Sequence, residues 1–175
     1  MGVNGFWPFC ARYGQPMDLA GGLFHGESWA IDSSVLLHAS LAQEANARAQ
    51  VIDGEPAPTQ VVNDYCRALG ALIDSGVRPV AVFDGAPRPD KRAEAARREA
   101  SRKAAREEAQ ALFGSGAPLA SYARVAVRAT HVSAELRQAC INAAHTLGLR
   151  VIVARPSRRM DSWHGYTSEV RCSGS

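Results

Sequence analysis

Two aspartates, Asp32 and Asp84, each stand directly after a short apolar run, Trp29-Ala30-Ile31 and Pro79-Val80-Ala81-Val82-Phe83. If both runs are strands of one parallel sheet, the carboxylates emerge at the same sheet edge and converge. Paired carboxylate oxygens are what a hard divalent cation such as Mg²⁺ takes as ligands. The same residues admit a plainer role: Asp32 suits the N-cap of a helix opening at Ser33-Ser34, and Asp84-Gly85 suits a turn. Just beyond Asp84 the charge density rises. Eight of the twenty basic residues lie between Arg88 and Arg106: Arg88, Lys91, Arg92, Arg97, Arg98, Arg102, Lys103 and Arg106. Lys91, Arg98 and Arg102 follow an i, i+7, i+11 spacing, roughly one stripe of a helix, which suits a phosphate backbone. Asp90, Glu94, Glu99, Glu107 and Glu108 are interspersed, so a solvated helix laced with i,i+4 ion pairs fits the same pattern.

The elements that must position these groups read as an α/β layer fold. A third apolar run, Arg150-Val151-Ile152-Val153-Ala154, joins the first two. None alternates cleanly with polar residues, which predicts strands covered on both faces of a parallel sheet. After Pro58, the residues Val61, Val62, Tyr65, Leu69, Leu72 and Ile73 keep helical spacing, with Gly76 as the expected C-cap. Thr130 is the expected cap of another helix carrying Val132, Leu136, Cys140, Ala143 and Leu147, closed by Gly148. Residues 40–58 read as a frayed helix end and a loop. Residues 86–113 read as a long protruding basic helix, too polar for a core element. In a parallel sheet of this kind, ligands sit outside the carboxyl ends of the strands. The last residues, from about Pro156, lose periodicity and are expected to be disordered.

Composition narrows the classes without choosing among them. A chain of 175 residues with 46% hydrophobic content can bury one core, and its formal charge of +3 is mild. The four cysteines, Cys10, Cys66, Cys140 and Cys172, stand far apart with no CxxC pair, so neither a zinc site nor a disulfide framework is expected. No apolar run of about 18 residues exists, and no membrane partner is expected. Met1-Gly2 opens like a myristoylation signal, but Phe6 stands where Ser or Thr is needed.

The order of the pieces is more specific than any one of them. Met1-Gly2-Val3-Asn4-Gly5-Phe6, then Trp29-Ala30-Ile31-Asp32-Ser33-Ser34, then Gly76-Val77-Arg78-Pro79-Val80-Ala81-Val82-Phe83-Asp84-Gly85 and the basic helix, resemble the amino-terminal region of the flap endonuclease/XPG/exonuclease 1 family of structure-specific 5′-nucleases. The family blocks are MGxxGL, a VAIDxS-like strand end and GxxPxxVFDG. The resemblance runs from Met1 to about Ser157. Within the family, Leu37-His38, Gly54-Glu55-Pro56 and Thr130-His131 point to the exonuclease 1 branch.

That resemblance implies a PIN-like 5′-nuclease fold and Mg²⁺-dependent hydrolysis of DNA at 5′ ends or flaps, in the nucleus, by a monomer. It implies that Asp32 and Asp84 are the first two members of a carboxylate cluster holding two metal ions. Lys91 and Arg98 match the basic pair of the family's gateway helix, which clamps the scissile phosphate. Arg92, Arg102 and Lys103 would contact DNA beside them. Gly2 matches the amino terminus near the site, and His38 matches the position whose ring stacks on a substrate base, a buried core histidine being the alternative. The chain then departs from the pattern. Where the family continues with Pro-x-Glu-Ala-Glu/Asp-Ala-Gln, here Arg158-Arg159-Met160-Asp161-Ser162-Trp163 follows Ala154-Arg155-Pro156-Ser157. The expected division is a nuclease region over 1–157 and an unrelated tail over 158–175. An incomplete site, weak metal binding, an inactive fragment and apolar surface left open on the third strand are the expected consequences. A non-catalytic DNA-binding module is the alternative function.

Overall fold

The computed structural model describes residue 12 and residues 22–85 and 92–154. Among these residues the sheet has three strands: β1 (Ser28–Asp32), β2 (Arg78–Phe83) and β3 (Arg150–Val153). They pair in parallel in the order β1-β2-β3. Between β1 and β2 run α1 (Ser33–Leu41), α2 (Glu44–Val51) and α3 (Thr59–Asp74). Between β2 and β3 run α4 (Arg92–Gly114), α5 (Leu119–Ala129) and α6 (Ala134–Thr146). The α/β fold with a partial parallel sheet is as the sequence predicts.

One face of the sheet carries the main core. Leu37 and Leu41 of α1, Val61, Tyr65 and Leu69 of α3, and Leu136, Cys140 and Ala144 of α6 pack over Ala81 and Phe83 of β2. Burial pushes the Cys140 thiol up to about 12, as befits a cysteine acting as a small hydrophobe. The expectation of strands covered on both faces is not met by the described residues. Ala30 is exposed, Val80 and Val82 are only half-buried, and no described helix shares a buried cluster with that face. The topology gives the reason. Two right-handed crossovers that step in the same direction along a sheet deliver their helices to the same side. On β3, Ile152 is 39% and Val153 48% exposed, so the third strand does carry open apolar surface.

A second cluster lies apart from the sheet. Ala47 and Val51 of α2, Ala105 and Ala109 of α4, and Val125, Ala126 and Ala129 of α5 are buried together. The basic helix is therefore a core element in its second half, correcting the reading that it is too polar to be one. Alanine at 105 and 109 lets α5 approach closely, while the residues from Arg92 to Ser101, all but half-buried Glu94, are exposed. Gln110 adds a hydrogen bond to the Val51 carbonyl at 3.2 Å. Residues 40–58 also hold more order than a frayed end, because α2 buries Asn46 and Gln50 along with its apolar face. Thr130 does not cap α6. Ser133 does, accepting from Leu136 N–H at 3.1 Å, while Thr130 donates to the Val127 carbonyl at the end of α5.

Gly76 closes α3 as predicted. Its φ of +82° and the hydrogen bonds from Gly76 N–H to the Ile73 carbonyl and from Val77 N–H to the Leu72 carbonyl make a Schellman end. It is also a close approach: a Cβ there would lie 2.3 Å from Cδ2 of His25. The 22–27 turn is sewn to the same place, with Gly26 N–H donating to the Gly76 carbonyl at 2.7 Å and Arg78 Nε to the Gly26 carbonyl at 2.9 Å. The glycine of the Gly-x-x-Pro block thus fixes where β2 begins. Gly76→Ala combines a left-handed backbone penalty of about 1–2 kcal/mol with overpacking of about 1–3 kcal/mol. Thermal unfolding should show a large loss of stability. Adding His25→Ala should recover the overpacking share and leave the backbone share; a double variant no more stable than Gly76→Ala would show that the ring contact is not the cause.

Candidate functional site

The register places the two aspartates. Asp32 is paired with Val82 across the β1–β2 ladder, and Asp84 lies two residues beyond Val82 on the same strand line. Both are exposed at the carboxyl edge of the sheet. The link between them is Ser34. Its main-chain N–H donates to Asp32 Oδ1 at 2.9 Å, and its hydroxyl donates to Asp84 Oδ2 at 2.9 Å. Val35 N–H also donates to Asp32 Oδ1, at 3.4 Å. Asp32 is therefore the N-cap of α1, as the plainer reading held, and it is also brought together with Asp84, as the chemical reading held.

Beneath this surface pair lies a buried one. Ser33 and Tyr65 are both fully buried, and their hydroxyls are 3.0 Å apart. Burial raises the Tyr65 phenol above its ordinary value, so it stays protonated and available for this hydrogen bond. The Tyr65 ring packs on Phe83 with centroids 6.1 Å apart, and Phe83 is the residue before Asp84. The ends of β1 and β2 are thus tied twice, once inside the core and once at the surface. Ser34 and Tyr65 were not singled out by sequence reasoning. Tyr65 gave only a helical-periodicity signal, and a second serine after a strand-end aspartate has no spacing that announces a link across the sheet.

The other expected site residues fall in three groups. His38 is exposed on α1, which overturns its buried-core alternative. It lies four residues after Ser34, on the same helix face and about 6 Å along the axis. Arg92, Arg98, Arg102 and Lys103 stand on α4. There the bland pattern of ion pairs is realised: Arg98 Nε bonds Glu94 at 2.8 Å, Arg97 bonds the same carboxylate, and Arg102 bonds Glu99 at 2.5 Å. The Arg98 and Arg97 guanidiniums hold the Glu94 carboxyl below its ordinary range, and Arg102 does the same for Glu99. The Glu94 pairs face solvent, Arg97 and Arg98 being 81% and 53% exposed, and such pairs are readily exchanged for phosphate. Arg102 is half-buried, its Nε shielded from solvent and without a hydrogen-bond partner among the described residues. Gly2, Lys91 and Asp161 lie outside the described residues, as do the tail and the expectation that it is disordered.

Thr130-His131 forms the connector between α5 and α6. Buried Gln50 grips its main chain with both ends of the amide, donating to the His131 carbonyl at 2.8 Å and accepting from His131 N–H at 2.9 Å. Burial, then the Arg106 and Arg102 charges, lower the His131 imidazole below its ordinary value.

The donor set fits one hard cation better than two. Among the described residues, Asp32 and Asp84 each have one oxygen engaged and one that accepts no hydrogen bond. No group of three or more His, Cys, Asp or Glu that could hold a metal ion occurs among them. Nor is any described helix long and apolar enough to cross a membrane.

Comparison with known proteins gives these features a context. Exonuclease 1 from Drosophila melanogaster is 28% identical over 162 residues, covering 92% of this chain and 20% of that protein. Exonuclease 1 from Xenopus laevis is 29% identical over 155 residues, covering 88% of this chain and 20% of that protein. Flap endonuclease 1 from Drosophila grimshawi is 33% identical over 111 residues, 61% of this chain and 28% of that protein. The chain therefore spans about a fifth of the length of the exonuclease 1 relatives. Residues 1–105, well over half of the 175, match the model of the XPG N-terminal domain, and the stretch contains both strand-end aspartates and most of the basic helix's charge. The chain belongs to the XPG N-terminal domain family.

Proposed function

We propose that this chain is the amino-terminal part of the catalytic region of a Mg²⁺-dependent, structure-specific 5′-nuclease that acts on DNA in the nucleus, with the nuclease region extending to Ser157 and the tail over 158–175 outside it. The observation that carries the reading is the convergence of Asp32 and Asp84, both linked to Ser34, at the carboxyl edge of the sheet. Likeness to exonuclease 1 and flap endonuclease 1 over most of the chain supports it.

In this reading Asp32 and Asp84 would hold the cation, each with the carboxylate oxygen that accepts no hydrogen bond among the described residues. When bound, the cation supplies Lewis-acid activation of the scissile phosphate and of a water nucleophile. The chain's own side chains do the rest. Arg98 exchanges Glu94 for a phosphate oxygen and, with Lys91, neutralises charge developing on the phosphate. Arg92, Arg102 and Lys103 extend the electrostatic contact along the strand. His38, exposed one turn below Ser34, offers a ring face to an unstacked base. Two carboxylates bind Mg²⁺ weakly, because the ion keeps its waters unless several anionic ligands displace them. The isolated 175-residue chain is therefore expected to bind DNA without cutting it. That limit is also what favours the second reading, a DNA-binding module: among the described residues α4 presents its arginines, but no third carboxylate joins the pair.

Two measurements separate the readings. Fluorescence anisotropy with a 5′-flap oligonucleotide should show weak, salt-sensitive binding. Replacing Arg98 and Arg102 together with Ala should flatten the log-log salt slope by about 1.5–2, the counterions of two phosphates. An unchanged slope would remove α4 as the DNA contact. Grafting a family carboxyl-terminal half, with its acidic block, onto Ser157 should create Mg²⁺-dependent cleavage of 5′-ended DNA. In that chimera Asp84→Ala should reduce cleavage to background, and Lys91→Ala should slow the chemical step by about 10²–10³ with binding retained. A folded but inactive chimera, or one that survives Asp84→Ala, would leave only the binding module.

A further inference from the structure

We infer that Ser34 is a positioning residue for the Asp32–Asp84 pair, holding one oxygen of each carboxylate so that Asp32 Oδ2 and Asp84 Oδ1 are the oxygens presented to a divalent cation. The inference rests on the metal-binding reading above and specifies how that site is built.

The geometry divides the labour between adjacent serines. Ser33 is fully buried and its hydroxyl meets that of Tyr65 at 3.0 Å, inside the core. Ser34, a rotation of about 100° further around the helix, faces the sheet edge and meets Asp84 at 2.9 Å. The inner contact fixes the roll of α1 about its axis, and the roll decides where the outer hydroxyl points. Tyr65 then packs on Phe83, whose neighbour is Asp84, so the contacts form a closed circuit from one strand end to the other. Breaking the inner link loosens the outer one.

Two exposed carboxylates side by side repel, and each has two rotatable bonds. Without a constraint, their oxygens spend most of their time apart and turned to solvent. Ser34 engages one oxygen of each with donors only 2.9 Å away, so the pair is gathered before any cation arrives. Outer partners that orient metal ligands in this way typically account for 10–100-fold in affinity. The capping bond at Asp32 uses the main-chain N–H of residue 34 and survives replacement of its side chain by alanine, threonine or valine. The bond to Asp84 depends on the hydroxyl alone. Removing that hydroxyl should therefore weaken cation binding while leaving α1 capped.

The test uses Mn²⁺ as the probe and the full 175-residue chain, isotope-labelled, with paramagnetic broadening of amide resonances as the readout. In the unaltered protein, broadening should centre on the amides around Asp32 and Asp84, and Asp84→Ala should abolish it. Ser34→Ala should raise the Mn²⁺ concentration for half-maximal broadening about tenfold, the low end of the range for a lost outer partner, because the hydroxyl is neutral. Amide-exchange protection of α1 should stay within error, which a merely structural role would not allow. Ser34→Thr should bind within about twofold of the unaltered protein, whereas the isosteric Ser34→Val should behave like Ser34→Ala. That last comparison still reads the hydroxyl if the alanine variant folds poorly. Equal Mn²⁺ binding by the threonine and valine variants, with Asp84→Ala still abolishing it, would overturn the role of Ser34 and leave the metal reading standing. Absence of localised broadening in the unaltered protein would overturn both.

Discussion

Everything at the candidate site depends on the parallel pairing of β1 with β2. Because Asp32, the last residue of β1, is level with Val82, it and Asp84, the first residue beyond β2, stand at the same edge of the sheet, two residues out of step. An antiparallel arrangement would send the carboxylates to opposite ends, and a shift of one residue would turn one of them to the other face. The register is held from inside by the Ser33–Tyr65 bond and by Phe83 under Tyr65, and it starts from the Gly76 turn, where His25 fills the space a side chain would need. A position that looks like simple turn chemistry in the sequence therefore sets the origin of the strand that ends in Asp84.

The basic helix reconciles two demands in one continuous element. A helix that is charged all round has no reason to stay put. Here Ala105 and Ala109 seat its second half against α2 and α5, and the first half is left to carry arginines into solvent. The glutamates at 94 and 99 keep those arginines paired and soluble at little energetic gain. In the proposed function that weakness is useful, since a polyanion displaces the internal partners without disturbing the anchored half.

What the sequence disclosed follows the strength of local signals. Three strands, the α/β class, α3 with its Gly76 end and the closing role of Gly148 all rest on apolar runs or on a glycine that must take a positive φ, +82° and +73° in the two cases. The second cluster was not legible. Its helices bury small residues, alanines above all, whose periodicity is faint beside that of leucine or valine, so α5 passed unnoticed and α2 read as loop. The cap of α6 went to Thr130 rather than Ser133 because both are plausible hydroxyls, and only the fold shows that Ser133 also donates to the Pro56 carbonyl, 77 residues away, at 2.7 Å. The second face of the sheet, which no described helix covers, is not legible for a related reason: an apolar run records that a strand is hydrophobic, not which elements cover each of its faces.

The two readings of Asp32, helix cap or ligand, looked like competitors because each alone explains an aspartate after a strand. Geometry makes them cooperative. A carboxylate has two oxygens, and the cap engages Oδ1. Both donors are main-chain N–H groups in the first turn of the helix, and they fix the group's orientation. Asp84 repeats the arrangement with a side-chain hydroxyl in place of the helix end. A capped aspartate at a parallel-sheet edge is thus a preoriented one. The informative feature is then not the aspartate itself but whether a second carboxylate, tied to the same helix turn, arrives from the neighbouring strand.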